Sequence, residues 1–425
     1  MTRTRSGGPA LGKDGHKWAF KARFRARAFG WRGSRPAADR LHEAVTEIQA
    51  VARVDPVRAA DGAVTLMERL WPALEQIDTS SGMLGTAVNK AIDELIPFLI
   101  AAPADQKLRA KWLERLYQAV LDDGVQYLWQ VEARWGEIAV HPALRDHYID
   151  QLLPLLRRVW SDDRPGGHVV GTDICLSSLL EAGRYQDLME VLALMTHRMW
   201  GFHHFAAEAL ARQGKPDDAI AYAETCRDGR LAPYDDGRIN AFCERVLIAA
   251  GRSDEAYRRY GVHARLRSTY LAVYKDVVAR YPGRDSRQIL RDLIQHHGNS
   301  GKWFAAARGA GFLDIALECA AASDVEPATL VRAARDLVRK EPRFAAQVAL
   351  LAIDALLRGA GYEPTVADIG AAFDHLMAAA TTLGLEAWAI EQVKTLCECP
   401  AGVAPGPFRQ QLLQRCAAGS QGPPG

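Results

Sequence analysis

The sequence has no long apolar run and no secretory leader. Its longest apolar stretch, residues 96–102, is far shorter than the roughly 20 residues of a transmembrane helix, and it contains Pro97. The N-terminus carries no apolar core followed by small residues at a cleavage site. These absences argue against a membrane-spanning helix and lead us to expect a cytoplasmic protein.

Cysteine is also scarce. The seven cysteines lie at positions 175, 226, 243, 319, 397, 399 and 416, mostly inside helical patterns. An odd, scattered set of this kind indicates a reducing compartment rather than a disulfide scaffold. Cys397 and Cys399 are separated by one residue, whereas zinc-binding pairs are usually separated by two, so we predict no metal site there.

Familiar catalytic motifs are absent. The sequence contains neither the Gly-x-Ser-x-Gly turn of serine hydrolases nor the His-Glu-x-x-His pair of zinc proteases. Residues 298–303 have two residues between their glycines where a phosphate-binding loop has four, and Trp303 replaces the Ser or Thr of such a loop. His204 and Glu208 share a helical face without a third metal ligand. We therefore predict no catalytic residue, no cofactor, no metal and no enzyme activity; a site assembled from residues distant in sequence is the third alternative.

Positive charge is concentrated at one end of the chain. The net charge is only +2, with 42 arginines and 11 lysines. Residues 1–40 hold eleven basic and two acidic residues, a net charge of +9, whereas the rest of the chain has 42 basic and 49 acidic residues, a net charge of −7. The sequence thus predicts a basic arm that precedes a mildly acidic body.

The basic arm, defined here as residues 1–35, alternates cations with aromatic rings. Between residues 17 and 32 the cations are Lys17, Lys21, Arg23, Arg25, Arg27 and Arg32, and the rings are Trp18, Phe20, Phe24, Phe29 and Trp31. Strict alternation over residues 20–28 is typical of a strand, but alanine and arginine favour a helix. The arm is predicted to be partly disordered, with no fixed structure in residues 1–15.

Three roles for this arm stay open. Its rings could dock on the acidic body and leave the arginines exposed. It could bind nucleic acid, with cations on phosphates and rings on unpaired bases. It could also lie on an anionic membrane surface. Because each role exposes some of these side chains, the candidate partner contacts in the arm are Lys17, Trp18, Lys21, Arg23, Arg25, Arg27, Trp31 and Arg32.

Helical periodicity dominates the rest of the chain. Apolar residues at three-and-four spacing predict an N-terminal helical domain at 36–160, and the Asp/Pro/Gly loop at 161–167 predicts a boundary. Helical repeats follow at 168–396, and a flexible Pro/Gly-rich tail is expected at 400–425, with one short amphipathic stretch at 408–416.

The repeats share a short helix, a turn glycine and a second short helix. The turn glycines are Gly183, Gly214, Gly251 and Gly311, spaced by 31, 37 and 60 residues. A unit of about 30 residues cannot bury its own apolar face, so neighbouring units must stack. The predicted fold is all-α, an α-solenoid of antiparallel helical pairs that forms a tetratricopeptide-like superhelix, with the basic arm at its start.

Two resemblances accompany this pattern. Ala219 and Ala256 follow the turns Gly-Lys-Pro-Asp-Asp and Gly-Arg-Ser-Asp-Glu, so the repeats resemble degenerate tetratricopeptide units, although the Trp and Leu-Gly positions of the first helix are missing. Residues 17–395 resemble an uncharacterised bacterial family of helical-repeat proteins. The strings that carry this second likeness lie at 17–25, 29–31, 75–89, 135–137 and 302–307. The first resemblance implies a right-handed stack of helical pairs. The second family carries no assigned activity, so this resemblance does not imply a function.

A second candidate surface follows the third repeat. Its residues are Arg258, Arg259, Arg265, Arg267, Tyr270 and Tyr274. The arginines are suited to a concave groove that receives an acidic peptide or a phosphate, whereas packing between helices is the alternative role for the tyrosines. We predict a non-catalytic scaffold that binds a protein or peptide partner on its repeats. A nucleic-acid-associated factor that uses the arm is the alternative.

Overall fold

The all-α prediction is confirmed. The computed structural model describes residues 16–161, 169–227, 232–263, 269–322, 325–398 and 406–419. Within these ranges the regular elements are α-helices and a 3-10 turn at Gly261–His263, with no strand. No helix in the same ranges is long and apolar enough to cross a bilayer.

The chain divides into two compact units, one ending at Ile239 and the other beginning at Asn240. The helices of the first unit are α1 (Phe20–Arg23), α2 (Ser34–Ala52), α3 (Pro56–Leu74), α4 (Met83–Ala101), α5 (Gln106–Asp122), α6 (Trp129–Ala133), α7 (Trp135–Ala139), α8 (Pro142–Ser161), α9 (Thr172–Glu181), α10 (Tyr185–Ala193), α11 (Trp200–Arg212) and α12 (Pro216–Glu224). Helix α13 (Ala232–Ala249) runs across the division. This division differs from the boundary predicted at 161–167, because α8 and α9 pack against each other within the first unit.

The second unit also consists of helical pairs. Its helices are α14 (Ser253–Arg259), α15 (Tyr270–Arg280), α16 (Ser286–His297), α17 (Ser300–Gly309), α18 (Leu313–Ala322), α19 (Pro327–Leu337), α20 (Pro342–Leu357), α21 (Val366–Leu383), α22 (Glu386–Glu398) and α23 (Gly406–Gly419). The 3-10 turn lies between α14 and α15. The apolar faces of these helices form the core of the unit, with Trp303 and Phe304 of α17 fully buried.

In each unit a helix packs on its successor and on the helix after that. In the first unit α2 contacts α3 and α4, α3 contacts α5, and α9 contacts α10 and α11. In the second, α19 contacts α20 and α21, and α20 contacts α22. This nearest and next-nearest pattern is that of stacked helical pairs in a solenoid, in which neighbouring pairs share one apolar seam.

The predicted turn glycines end the first helix of their pairs. Gly183, Gly214, Gly251 and Gly311 have φ angles of 70°, 73°, 75° and 86°. After Gly183, the Arg184 amide donates to the Leu179 carbonyl at 3.0 Å, and the other three turns repeat this bond. It is the Schellman closure, which needs a left-handed residue and therefore favours glycine. Gly359 and Gly384 make the same closure after α20 and α21 and were not identified from the sequence.

Arginine–carboxylate pairs join corresponding helices of successive pairs. In the first unit they are Arg115 with Glu68, Arg157 with Asp187 and Arg212 with Glu181. In the second unit they are Arg280 with Glu244, Arg291 with Glu318 and Arg308 with Asp336. Every pair links one helix to the helix two places along the chain. Each partly exposed pair contributes about 1 kcal/mol or less, so the pairs serve the register of the stack more than its stability.

The segment predicted as a flexible tail contains the ordered helix α23. Phe408, Leu412 and Cys416 lie at intervals of four, so they form one helical face, and all three are buried. Helix α23 packs against α21 and α22, and the Arg415 side chain bonds to the Gly370 carbonyl at 3.3 Å. Helix α23 contains the amphipathic stretch recognised in the sequence at 408–416, and it covers the end of the second unit's core.

Candidate interaction surfaces

The described part of the basic arm packs on the helices that follow it. Trp18, Phe20, Phe24 and Phe29 are only 1–7% exposed. Phe20 begins the four-residue helix α1 and Phe24 follows its last residue, and both rings are buried. Bends and turns follow at 24–27, so the segment forms neither a strand nor a long helix. Of the three roles that the sequence left open for the arm, docking on the body is the one that these four buried rings fit. Trp18, one of the candidate partner contacts, is therefore part of the core.

Backbone and charge contacts hold the arm in place. The Arg27 Nε donates to Glu75 at 2.8 Å, and Arg23 pairs with Glu43. The Ala19 amide donates to Glu47 Oε1 at 2.9 Å. The basic arm thus uses two of its six candidate cations to bind carboxylates of the acidic body.

The other four candidate cations and one ring face solvent. Lys17, Lys21, Arg25 and Arg32 are exposed, and Trp31 is 68% exposed. A single-stranded nucleic acid needs aromatic surfaces for its bases as well as cations for its phosphates. The arm provides several cations but, among its described residues, only one accessible ring.

The second predicted surface lies in the second unit, and its residues have different environments. Arg258 is exposed, whereas Arg259 pairs with Glu255 at 3.0 Å on its own helix. Tyr270 meets Trp303 edge-on at 4.9 Å between ring centroids, and Tyr274 faces Phe312 at 6.3 Å. Both tyrosines therefore take part in packing between helices, which was the alternative role. Arg265 and Arg267 lie outside the described residues.

A groove between α5 and α8 was not found from the sequence. Its volume is about 680 Å3, and it is lined by Lys107, Ala110, Lys111, Glu114, Arg115, Leu144, His147 and Tyr148. Leu144 and Tyr148 form an apolar floor, being 7% and 3% exposed. The pair of lysines four residues apart beside Ala110 is visible in the sequence of α5. Their position over Leu144 and Tyr148 of α8 depends on how the two helices pack, which the sequence does not show.

The rim of this groove carries unneutralised positive charge. Arg115 is held by Asp61 at 2.8 Å and by Glu68 at 2.9 Å. Lys107 and Lys111 are exposed, and neither has an ion-pair partner among the residues that the structure describes. Glu114 is the single acidic residue in the lining. The groove therefore combines an apolar floor with a cationic edge, which suits a partner that is apolar on one side and acidic on the other.

Two carboxyl groups in the first unit have strongly altered titration. Burial raises the pKa of Glu132 in α6 to about 7, and the negative charge of Asp173 in α9 adds to this effect. Burial also raises the pKa of Asp173 to about 7, while Arg238 acts in the opposite direction. Asp173 Oδ1 is inaccessible to solvent and has no hydrogen-bond partner in the described ranges. Perturbed carboxylates are typical of acid–base sites, but structural burial produces the same shifts.

The histidines of α11 are packing residues. Burial lowers the pKa of His203 and of His204 to about 4 in each case, so both rings are neutral at physiological pH. His203 Nδ1 lies 2.6 Å from the Tyr222 hydroxyl, and His204 Nδ1 donates to the Gly201 carbonyl at 2.8 Å. No group of three or more His, Cys, Asp or Glu side chains suited to a metal occurs in the described part of the chain.

Comparisons with known proteins add little to these observations. No protein-family model and no curated protein matches the chain. Among solved structures it is similar to a "Circular tandem repeat protein with novel repeat topology and enhanced subunit contact surfaces", with 13% sequence identity, 90% coverage of this chain, 87% coverage of that chain and a TM-score of 0.18. A likeness this low supports no inference, so the helical-repeat architecture rests on the helices, turns and contacts described above.

Proposed function

We propose that this protein is a non-catalytic helical-repeat scaffold that binds an acidic, amphipathic segment of a protein partner. The observation that carries the proposal is the α5–α8 groove, with its apolar floor and its two lysines. A helical peptide that lays an apolar face into a groove gains free energy from burial, at about 25 cal/mol per Å2 of apolar surface. Acidic residues along its edge would meet Lys107 and Lys111, which fixes orientation and speeds association.

A designed peptide tests this proposal directly. The probe is a fluorescein-labelled helical peptide with leucines on one face and glutamates beside them, and binding is measured by fluorescence anisotropy. We expect saturable binding that weakens at least tenfold in a double variant, Lys107→Glu with Lys111→Glu, because both favourable charge contacts become repulsive. The control is Lys275→Glu, which makes one charge reversal of the same kind at an exposed lysine of the second unit.

A second peptide separates the floor from the rim. When its glutamates are replaced by lysines, the peptide should lose affinity for the native protein and regain it in the double variant. Equal affinity of the native protein and the double variant for the acidic peptide would contradict the proposal. So would a loss of affinity in Lys275→Glu as large as that in the double variant.

A second candidate function is nucleic-acid association through the arm, supported by exposed Trp31 and the exposed cations Lys17, Lys21 and Arg32. Binding of a single-stranded oligonucleotide should then fall steeply as salt is raised. Trp31→Ala should weaken it about tenfold through lost stacking. Trp388, which is 39% exposed in the second unit, is the control ring, and equal effects of the two Trp→Ala changes would argue against this function.

A further inference from the structure

A small concavity lies where the arm meets α2. Its volume is about 460 Å3, and it is lined by Ala22, Arg23, Arg25, Ala28, Arg40 and Glu43. Three of these six side chains are guanidinium groups, and one is a carboxylate. Arg23, Arg25 and Ala28 come from the arm, whereas Arg40 and Glu43 come from α2. We name this concavity the arginine pocket.

The charges of the arginine pocket do not cancel. Glu43 is already engaged by Arg23. Arg40 places its guanidinium over the Phe29 ring, 5.5 Å from the centroid, where the ring supports the cation without neutralising it. The Arg25 side chain is exposed and makes no hydrogen bond or ion pair within the described ranges. Two positive charges therefore remain in one concave site.

The loop that carries Arg25 is held rigidly. Phe24 and Phe29, at its two ends, are buried with their rings 5.6 Å apart. Between them Arg27 has a φ of +54°, a conformation that costs free energy for a residue with a side chain. The Arg27 amide donates to the Pro72 carbonyl at 2.7 Å, and its Nε donates to Glu75. These contacts maintain the strained turn and fix the wall of the pocket.

We propose that the arginine pocket binds a phosphomonoester dianion. Guanidinium groups form paired, charge-assisted hydrogen bonds that match the geometry of phosphate oxygens. A phosphomonoester carries nearly two negative charges at neutral pH, because its second pKa is about 6, and so it balances the two uncompensated arginines. A phosphodiester carries one. This site lies apart from the α5–α8 groove and takes a different ligand, so it does not depend on the proposed scaffold function.

Isothermal titration calorimetry with O-phospho-L-serine, and separately with inorganic phosphate, tests the site on the full chain. We expect binding of both at pH 7.5 and weaker binding at pH 5, where the ligand loses one charge. Arg25→Ala should weaken binding about tenfold or more, since it removes a charged donor without disturbing an internal contact. The matched control is Arg32→Ala, an exposed arginine of the same arm outside the pocket.

Glu43→Gln provides a test with the opposite sign. It removes the one carboxylate of the pocket, so we expect phosphoserine to bind several-fold more tightly, a result that misfolding cannot imitate. The proposal is overturned if Arg25→Ala and Arg32→Ala weaken binding equally, or if Glu43→Gln weakens it. It is also overturned if a single-stranded oligonucleotide without terminal phosphates binds while phosphoserine and phosphate do not. That last result would instead favour the nucleic-acid candidate.

Discussion

The arm and the surface around Tyr270 and Tyr274 have similar sequence patterns but form different structures. Both interleave arginines with aromatic residues. Four of the five rings of the arm are buried, and in the second surface Tyr274 is buried and Tyr270 is partly buried. Individual arginines differ in their partners: Arg259 pairs with a carboxylate on its own helix, whereas the Arg25 side chain has no ion pair among the described residues. An aromatic–arginine pattern therefore indicates packing, and the function of each cation depends on whether a nearby carboxylate pairs with it.

The largest expected effect tests the burial of the arm's rings. Phe24→Ala should lower the free energy of unfolding by about 3–5 kcal/mol, because it deletes a buried ring and leaves a cavity. Trp31→Ala, at the exposed ring of the same arm, should change it by about 0.5 kcal/mol or less. Urea denaturation measures both. Equal effects would show that the arm does not dock as described, and the comparison with the Tyr274 surface would then break down.

The closeness of the docking is tested at Gly62 in α3. A Cβ atom on Gly62 would lie 2.3 Å from Cζ2 of Trp18, so Gly62→Ala must displace the indole, and we expect a loss of about 1–3 kcal/mol. Gly85 in α4 has nothing within 4 Å of its added Cβ. Gly85→Ala should stabilise the protein by up to about 1 kcal/mol through helix propensity. Thermal or urea denaturation should give opposite signs, and two stabilising changes would place Trp18 elsewhere.

Asp173 allows a similar comparison for an acidic residue, because its Oδ1 is buried without a hydrogen-bond partner in the described ranges. The pKa of Asp173 is about 7, which is higher than in the unfolded chain. The contribution of this group to the free energy of unfolding is therefore fully present below about pH 4 and is lost as the pH rises toward 7. Asp173→Asn, a neutral isostere, should therefore be more stable than the native protein at pH 8, by about 2 kcal/mol, and should lose that advantage toward pH 4.

The control for this pH dependence is Asp122→Asn, at an exposed carboxylate of the same unit. It should not change stability appreciably at any pH. Removing Asp173 also removes a cause of the raised pKa of Glu132, which adds to the expected gain. If Asp173→Asn destabilises the protein at pH 8, the ionised carboxylate has a favourable partner, and an acid–base or ligand-binding role for this pair would deserve testing.

Local features were predictable from the sequence, and features made by distant residues were not. The turn at Gly183 could be predicted from the residues beside it, because a glycine between two helical patterns indicates a left-handed residue at the end of the first helix. The amphipathic stretch of α23 was also visible in the sequence, but its Pro/Gly-rich flanks led us to expect a flexible tail around it. The α5–α8 groove brings Lys107 and Lys111 close to Leu144 and Tyr148, which are more than 30 residues away in sequence. No local sequence pattern indicates how these two helices pack. Likewise, nothing near Arg25 in sequence shows that Arg40 and Glu43 complete its pocket.

The smallest expected effects on stability return to the two arginines. Arg259→Ala breaks an exposed pair within one helix, so it should change the free energy of unfolding by about 0.5 kcal/mol or less. Arg25→Ala should change it as little, because Arg25 has no partner to lose in the described structure. Phosphoserine calorimetry should nevertheless separate the two variants, with a weakening only in Arg25→Ala. If both variants behave alike in denaturation and in calorimetry, an ion-pair partner makes no difference to phosphate binding, and the distinction drawn between Arg25 and Arg259 fails.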